Sequence, residues 1–308
     1  MSMRRRSLFA IALILLCAPS LFALNVRSAV SIRGVDTNPC TPLQPCRTFT
    51  AAIAATSAGG EVVALDSAGY GPFTISAALA VLGAPGVHAA ITATTGAAIS
   101  VTAASSDSVI VKNLVLVGAG GADGIVETSA KQLTVLDSLI RGFAGNAIRL
   151  AGGSAGLLIS NCTLVYNNNG LVQTAGGANQ NATVQDSRIE QNDSAGLSIR
   201  FAGKFVVTDT TFSFNDNSGI NLNLDTGTGV VAALIVKRCT LVHSGAGVRI
   251  HAAQGNTATA ALSQNVIGFN DTGIDNSDPA VLQSYGNNRM LFNRNIDIGV
   301  PSPVVALQ

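Results

Sequence analysis

The sequence predicts an all-β chain, a right-handed parallel β-helix solenoid of roughly ten coils with a short N-terminal capping helix. Three observations predict it. First, an aliphatic residue is followed five positions later by another large apolar residue: Val111 with Leu116, Val135 with Ile140, Ile159 with Leu164, Val184 with Ile189, Val207 with Phe212, Val236 with Leu241, Leu262 with Ile267, and Tyr285 with Met290. The starting points lie 24, 24, 25, 23, 29, 26 and 23 residues apart. Second, a strand signal, usually preceded by glycine, follows the second apolar residue at a nearly fixed distance: Gly170-Leu171, Gly196-Leu197, Gly219-Ile220, Gly247-Val248 and Gly273-Ile274, the last coil shortening to reach Ile296. Third, Asn167, Asn192, Asn215, Asn270 and Asn293 recur three positions after the second apolar residue, with Ser244 as the exception.

Each coil carries short strands of period-two alternation separated by tight corners, and no coil can bury its apolar face alone. Stacking solves this, because each strand then bonds its equivalent one coil away at about 4.8 Å, giving a rod on the order of 50 Å long. Asn at the corners is expected to take the left-handed backbone, with its amides bonding from coil to coil. Immediately before them, Tyr166, Phe214, Phe269 and Phe292 are expected to form an aromatic stack that Gln191 and His243 interrupt, with Tyr166 internal and His243 structural.

Residues 1–23 have the layout of an export signal: Arg4-Arg5-Arg6, an apolar run from Leu8 to Cys17, then a stretch containing Pro19. The run is too short to span a membrane. It favours the general export route over the twin-arginine one, and places the mature protein in the periplasm or outside the cell. Residues 24–60 form an N-terminal segment in which Thr48 to Thr56 sets Phe49, Ala52 and Ile53 on one helical face, suited to cover the solenoid's open end. Residues 61–298 form the β-helix; its early coils are expected around Val62 to Leu65, Phe73 to Ile75, Leu79 to Leu82 and Ile99 to Val101. Residues 299–308 contain Pro301 and Pro303 and cannot continue the ladder in register.

Only 11% of residues are charged and 47% are hydrophobic, which excludes an intrinsically disordered chain. Without the three signal arginines, the 18 basic and 17 acidic residues become 15 and 17. That balance argues against a nucleic-acid partner, which needs a basic field to displace counterions. Cys40 and Cys46 bracket a short loop in a compartment that permits disulfides, and are expected to pair. Cys162 and Cys239 occupy one coil position but lie three coils apart, about 14 Å, too far to bond.

The segments Val30-Ser31-Ile32-Arg33-Gly34-Val35-Asp36, Pro39-Cys40, Pro45-Cys46-Arg47-Thr48-Phe49, Ala52-Ile53 and Gly59-Gly60 resemble the entry segment of exported bacterial right-handed β-helix proteins with the pectin-lyase-like architecture. The resemblance implies the fold for nearly all of the mature chain. It implies little about activity, since that architecture hosts polysaccharide lyases, glycoside hydrolases, phage tailspikes and adhesins. The polygalacturonase-like branch would imply adjacent aspartates and a Gly-His-Gly, and neither occurs; only Val248-Arg249-Ile250-His251 faintly resembles that branch's Arg-Ile-Lys. Pectate-lyase-like chemistry would need calcium and an arginine base. Asp271, Asp275 and Asp278 are close in sequence but straddle a corner, so no metal site is assigned and calcium is the one ion left open.

The register offers one surface. The residue after each glycine-preceded strand position should face solvent, giving the column Val126, Arg149, Val172, Ser198, Asn221, Arg249, Asp275 and Asp297; two residues farther on come Thr174, Arg200, Asn223 and His251. Arg200, Asn221, Asn223, Arg249 and His251 are the candidate ligand-binding residues. If the protein is an enzyme, His251 and Arg249 are the candidate catalytic pair. Three longer segments, Gly176 to Ala182, Asp225 to Val231 and Ala253 to Ala260, follow the same strands and would wall that face. The bland reading is a solvated strand face carrying polar residues for solubility.

Other motifs have ordinary explanations. Gly152-Gly153-Ser154-Ala155-Gly156 matches a nucleophile-elbow string without its strand-turn-helix context. The Asn-x-Ser/Thr sequons follow from a composition rich in Asn and Thr. Three functions remain: a noncatalytic carbohydrate-binding or surface-adhesion protein, whose partner is a polysaccharide or cell-surface glycan; a polysaccharide lyase or glycoside hydrolase acting on an acidic polysaccharide; and a structural solenoid assembling through its ends.

Overall fold

The computed structural model describes residues 24–152, 156–175, 180–276 and 280–298; the export segment and the C-terminal tail lie outside them. Its strands form three parallel sheets that run the length of a rod. The first sheet has eleven strands, from Asn25–Val30 and Thr56–Ala64 to Val281–Ser284. The second and third have ten each, from Ala68–Tyr70 to Arg289–Leu291 and from Phe73–Ile75 to Asn295–Ile298. The chain visits the sheets in that order ten times, so the described residues make ten coils. No described helix is long and apolar enough to cross a membrane.

Alternation along each strand builds the core. Val111, Val135, Ile159, Val184, Val207, Val236 and Leu262 stack in register on the first sheet, and all are buried. In the last coil the partner of Leu262 is Ser284, not Tyr285 as the spacing suggested. That corner holds one more residue than its predecessors, with Gly286 in the left-handed conformation, and the extra residue displaces the strand. Beyond Met290, which pairs with Ile267, the last coil does not shorten: Asp297, not Ile296, falls opposite Ile274, and Asp275 pairs with Ile298. The early coils follow the expected segments, with Ala68–Tyr70 and Ala89–Ala93 as further strands.

The N-terminal end is closed. A six-residue helix, Phe49–Ala54, is capped by the Thr48 hydroxyl, which accepts the Ala51 N–H at 3.2 Å. Its Phe49 is buried against the first coil, stacked on Phe73 at 4.6 Å and edge-on to Tyr70 at 5.2 Å. Asn25–Val30 adds a strand to the exposed edge of Thr56–Ala64, and the Cys40–Cys46 disulfide ties the loop between strand and helix.

The corner between the second and third sheets differs from expectation in an instructive way. The left-handed residue is not the Asn but the one before it: Tyr166, Gln191, Phe214, His243, Phe269 and Phe292 have φ of 52–58°. The Asn side chains turn inward, where Asn192 Nδ2 donates to Asn215 Oδ1 at 2.9 Å, and Asn192 Oδ1 accepts from Asn167 N at 3.1 Å. Ser244 continues the ladder, its Oγ accepting the Asn215 N–H and its N–H donating to Asn270 Oδ1. Because a residue and its successor point to opposite sides, the aromatic column lies outside the rod: Tyr166 is 58% exposed and Phe292 78%. His243 does not interrupt the stack; it joins it, 4.6 Å from Phe214 and 5.3 Å from Phe269.

Candidate functional site

The third sheet aligns Val126, Arg149, Val172, Ser198, Asn221, Arg249 and Asp275 as one ladder column, as the repeat register requires. Only part of it meets solvent. Val126 and Val172, on either side of Arg149, are buried, and so is Ser198. The polar face therefore concentrates on the seventh to ninth coils. There Asn221 pairs with Arg249 and Asn223 with His251 across one coil step, all four partly exposed.

Each charge on this face has a partner. Arg249 Nε donates to Asp275 Oδ2 at 2.9 Å and Nη1 to Asn217 Oδ1 at 2.5 Å. His251 Nε2 lies 2.5 Å from Asp225 Oδ1. Neither Asp225 nor Asn217 is among the candidates that the sequence offers; Asp225 follows Leu224, the last residue of its strand, and reaches His251 from the loop. The Oδ1 atoms of Asn221 and Asn223 are shielded from solvent and have no hydrogen-bond partner. An acceptor left so costs about 1–3 kcal/mol.

Arg200 stands apart. It follows Ile199, the last residue of its strand, and is exposed. Gln173, an inward residue, holds that corner: its Oε1 accepts the N–H groups of Arg200 and Phe201 at 3.3 and 3.0 Å, and its Nε2 donates to Ala202 O. The same Nε2 donates to Gln180 Oε1 at 2.8 Å.

The walls are shorter than the sequence suggested, because strands begin at Val231 and Thr257. What remains, 225–230 and 253–256, is joined: Gly229 N donates to Gly255 O at 3.0 Å, and Asn256 Nδ2 to Leu224 O at 2.7 Å. Asp225 opens the 225–230 wall and meets His251 there. Of the first expected wall, 176–179 lies outside the described residues, as does Ser154. Asp275 is committed to Arg249, Asp278 lies outside the described residues, and among those described no group of three or more His, Cys, Asp or Glu could hold a metal ion.

Residues 123–295 match the family model described as a right handed beta helix region. The chain belongs to that family. Among solved structures, this β-helix is similar to pectate lyase Pel9A, at 15% identity and a TM-score of 0.56, over 94% of this chain and 80% of that one. It is also similar to the A-module of mannuronan C-5 epimerase AlgE6 of Azotobacter vinelandii, at 13% identity and a TM-score of 0.50, over 79% and 88% of the two chains. At such identities the likeness establishes the fold and leaves the site to be argued from its residues. No curated protein matches the chain by sequence.

Proposed function

We propose that this β-helix is a noncatalytic carbohydrate-binding protein, acting outside the cytoplasm, that holds a polysaccharide along the third sheet. One observation carries the reading: Asn221, Asn223, Arg249 and His251 stand in register on two adjacent coils, all four partly exposed. Sugar hydroxyls accept from amide, guanidinium and imidazole N–H groups. The export signal read in residues 1–23 and the Cys40–Cys46 disulfide agree with an extracytoplasmic setting. The solved relatives, a pectate lyase and a mannuronan epimerase, carry names drawn from polysaccharide chemistry.

A second reading has its own observation. His251 backed by Asp225, two strand positions from Arg249 on the same face, is a proton-handling pair beside a cation, as a lyase or hydrolase would need. Head-to-tail assembly is less favoured, since it would have to displace the helix and strand that close the N-terminal end.

The test is a panel of soluble acidic and neutral polysaccharides, scored in the same samples for gel retardation and for new reducing or unsaturated ends. Retardation without cleavage, weakened in Asn221→Ala and Asn223→Ala, is the expected result. New ends that vanish in His251→Ala or Arg249→Ala would replace it with the enzymatic reading.

A further inference from the structure

The charges around the third-sheet face do not balance. From the corner to the walls, the seventh to ninth coils comprise residues 215–230, 244–256 and 270–276. Among those residues Asp216, Asp225, Asp271 and Asp275 stand against one guanidinium, Arg249, and one imidazole, His251. Asp275 and Asp225 are committed to those two groups. Asp216 and Asp271 are not: both are exposed, and no described side chain meets either carboxylate. They occupy equivalent corner positions two coils apart, about 10 Å, and the coil between them has Gly245 there. The exposed cations Arg200 and Arg294 lie outside these three coils, in the sixth and the tenth.

The groups left for a ligand are donors. Of the five N–H groups of Arg249, one is given to Asp275 and one to Asn217, the neighbour of Asp216. No described group accepts from the amide nitrogens of Asn221 and Asn223, whose oxygens are shielded. Such donors suit a carboxylate as well as a hydroxyl, so the surrounding charge decides. A carboxylate brought to Arg249 competes with Asp275, already in place at 2.9 Å, and enters the field of Asp216 and Asp271. Charges are felt over a Debye length of about 8–10 Å at moderate salt, so those two fields overlap across the eighth coil. A hydroxyl meets neither obstacle. Being both donor and acceptor, it can use the amides, the guanidinium and the rim carboxylates alike.

We infer that the third-sheet face takes an uncharged polysaccharide and excludes polyuronates. This ligand class belongs to the site proposed above and rests on that reading. The donors of Asn221, Asn223 and Arg249 meet sugar hydroxyls, and the unpaired carboxylates of Asp216 and Asp271 form the rim that turns polyanions away.

Affinity gels run at low and high salt test it. Galactomannan and mixed-linkage β-glucan are the neutral probes, polygalacturonate is the anionic one, and fully methyl-esterified polygalacturonate offers the same backbone without charge. At least one uncharged probe is expected to retain the protein about tenfold more strongly than polygalacturonate, with little dependence on salt. In Asp216→Lys/Asp271→Lys the replaced side chains hold no partner, so the variant should unfold like the parent. Its retention by the neutral probe should stay within about twofold, and it should gain retention by polygalacturonate that fades as salt is added. The inference is overturned if polygalacturonate retains the parent as strongly as every uncharged probe, or if the double variant gains nothing on it. Polygalacturonate retention that is lost in Asn223→Ala would leave the third-sheet site standing and remove only its ligand class. If no probe is retained, the carbohydrate reading falls and this inference with it.

Discussion

Phe214 and His243 stack 4.6 Å apart with their planes 10° apart, on the outside of the rod, each held in a left-handed backbone conformation. For a residue with a Cβ that conformation costs about 1–2 kcal/mol, so something must offset it in every coil. Two contributions do: the inward Asn that follows, and the outward ring contact. Replacing His243 by Ala leaves the backbone cost and removes contacts to both Phe214 and Phe269. Urea unfolding should then show a loss of about 1–2 kcal/mol, with His243→Phe within about 0.5 kcal/mol of the parent. A neutral His243→Ala would mean that the rings merely share a column.

The inward half of the corner should be costlier to lose. Asn192 accepts from the Asn167 backbone and side chain and donates to Leu164 O and Asn215 Oδ1, all of it away from water. Asn192→Ala strands several of these groups at about 1–3 kcal/mol each. We expect a loss of about 3 kcal/mol or more, measured by denaturant unfolding, and a smaller loss for Asn192→Ser, because Ser244 already performs that role in its own coil. Equal losses for the two variants would contradict the ladder's hydrogen-bond account.

The coil, its period and its N-terminal cap were legible in the sequence because burial repeats with a fixed spacing, and Val135, Ile159 and Val184 need no side-chain geometry to be recognised. The sidedness of the corner was not. Tyr166 and Asn167 are adjacent, and spacing alone does not say which of the two turns inward; the left-handed φ falls on Tyr166 and sends its ring out. On the third sheet the register of Asn221, Asn223, Arg249 and His251 was readable, but not that Asp225 would close on His251 from a loop.

The two β-helix thiols give a pH signature. Burial pushes both Cys162 and Cys239 from an ordinary value of 9.0 up to about 11, the loss of solvation outweighing their backbone hydrogen bonds. A raised acid stabilises the fold while it is protonated. That contribution is therefore complete below the unfolded value near pH 9, and is lost as pH rises through about 11. Unfolding midpoints should drop between those limits, and less steeply in Cys162→Ala/Cys239→Ala. At pH 8 a thiol reagent should modify neither residue until denaturant is added. Rapid labelling of the native protein would contradict the burial.

Arg249 offers the sharpest test of whether the third-sheet face is a site or only a solvated surface. Its guanidinium is partly exposed and shared between Asp275 and Asn217, and such a pair contributes about 0–1 kcal/mol to stability. Arg249→Ala should thus unfold within about 1 kcal/mol of the parent while losing retention on polysaccharide gels. Asp275→Asn moves the other way. It leaves the guanidinium in place without a competing carboxylate, so retention on an acidic polysaccharide should strengthen, and the gain should shrink as salt is added. A surface that is polar only for solubility would show no change in retention for either variant. If Asp275→Asn weakened retention instead, Asp275 would be a contact for the ligand and the assignment of Arg249 as the cationic anchor would fall.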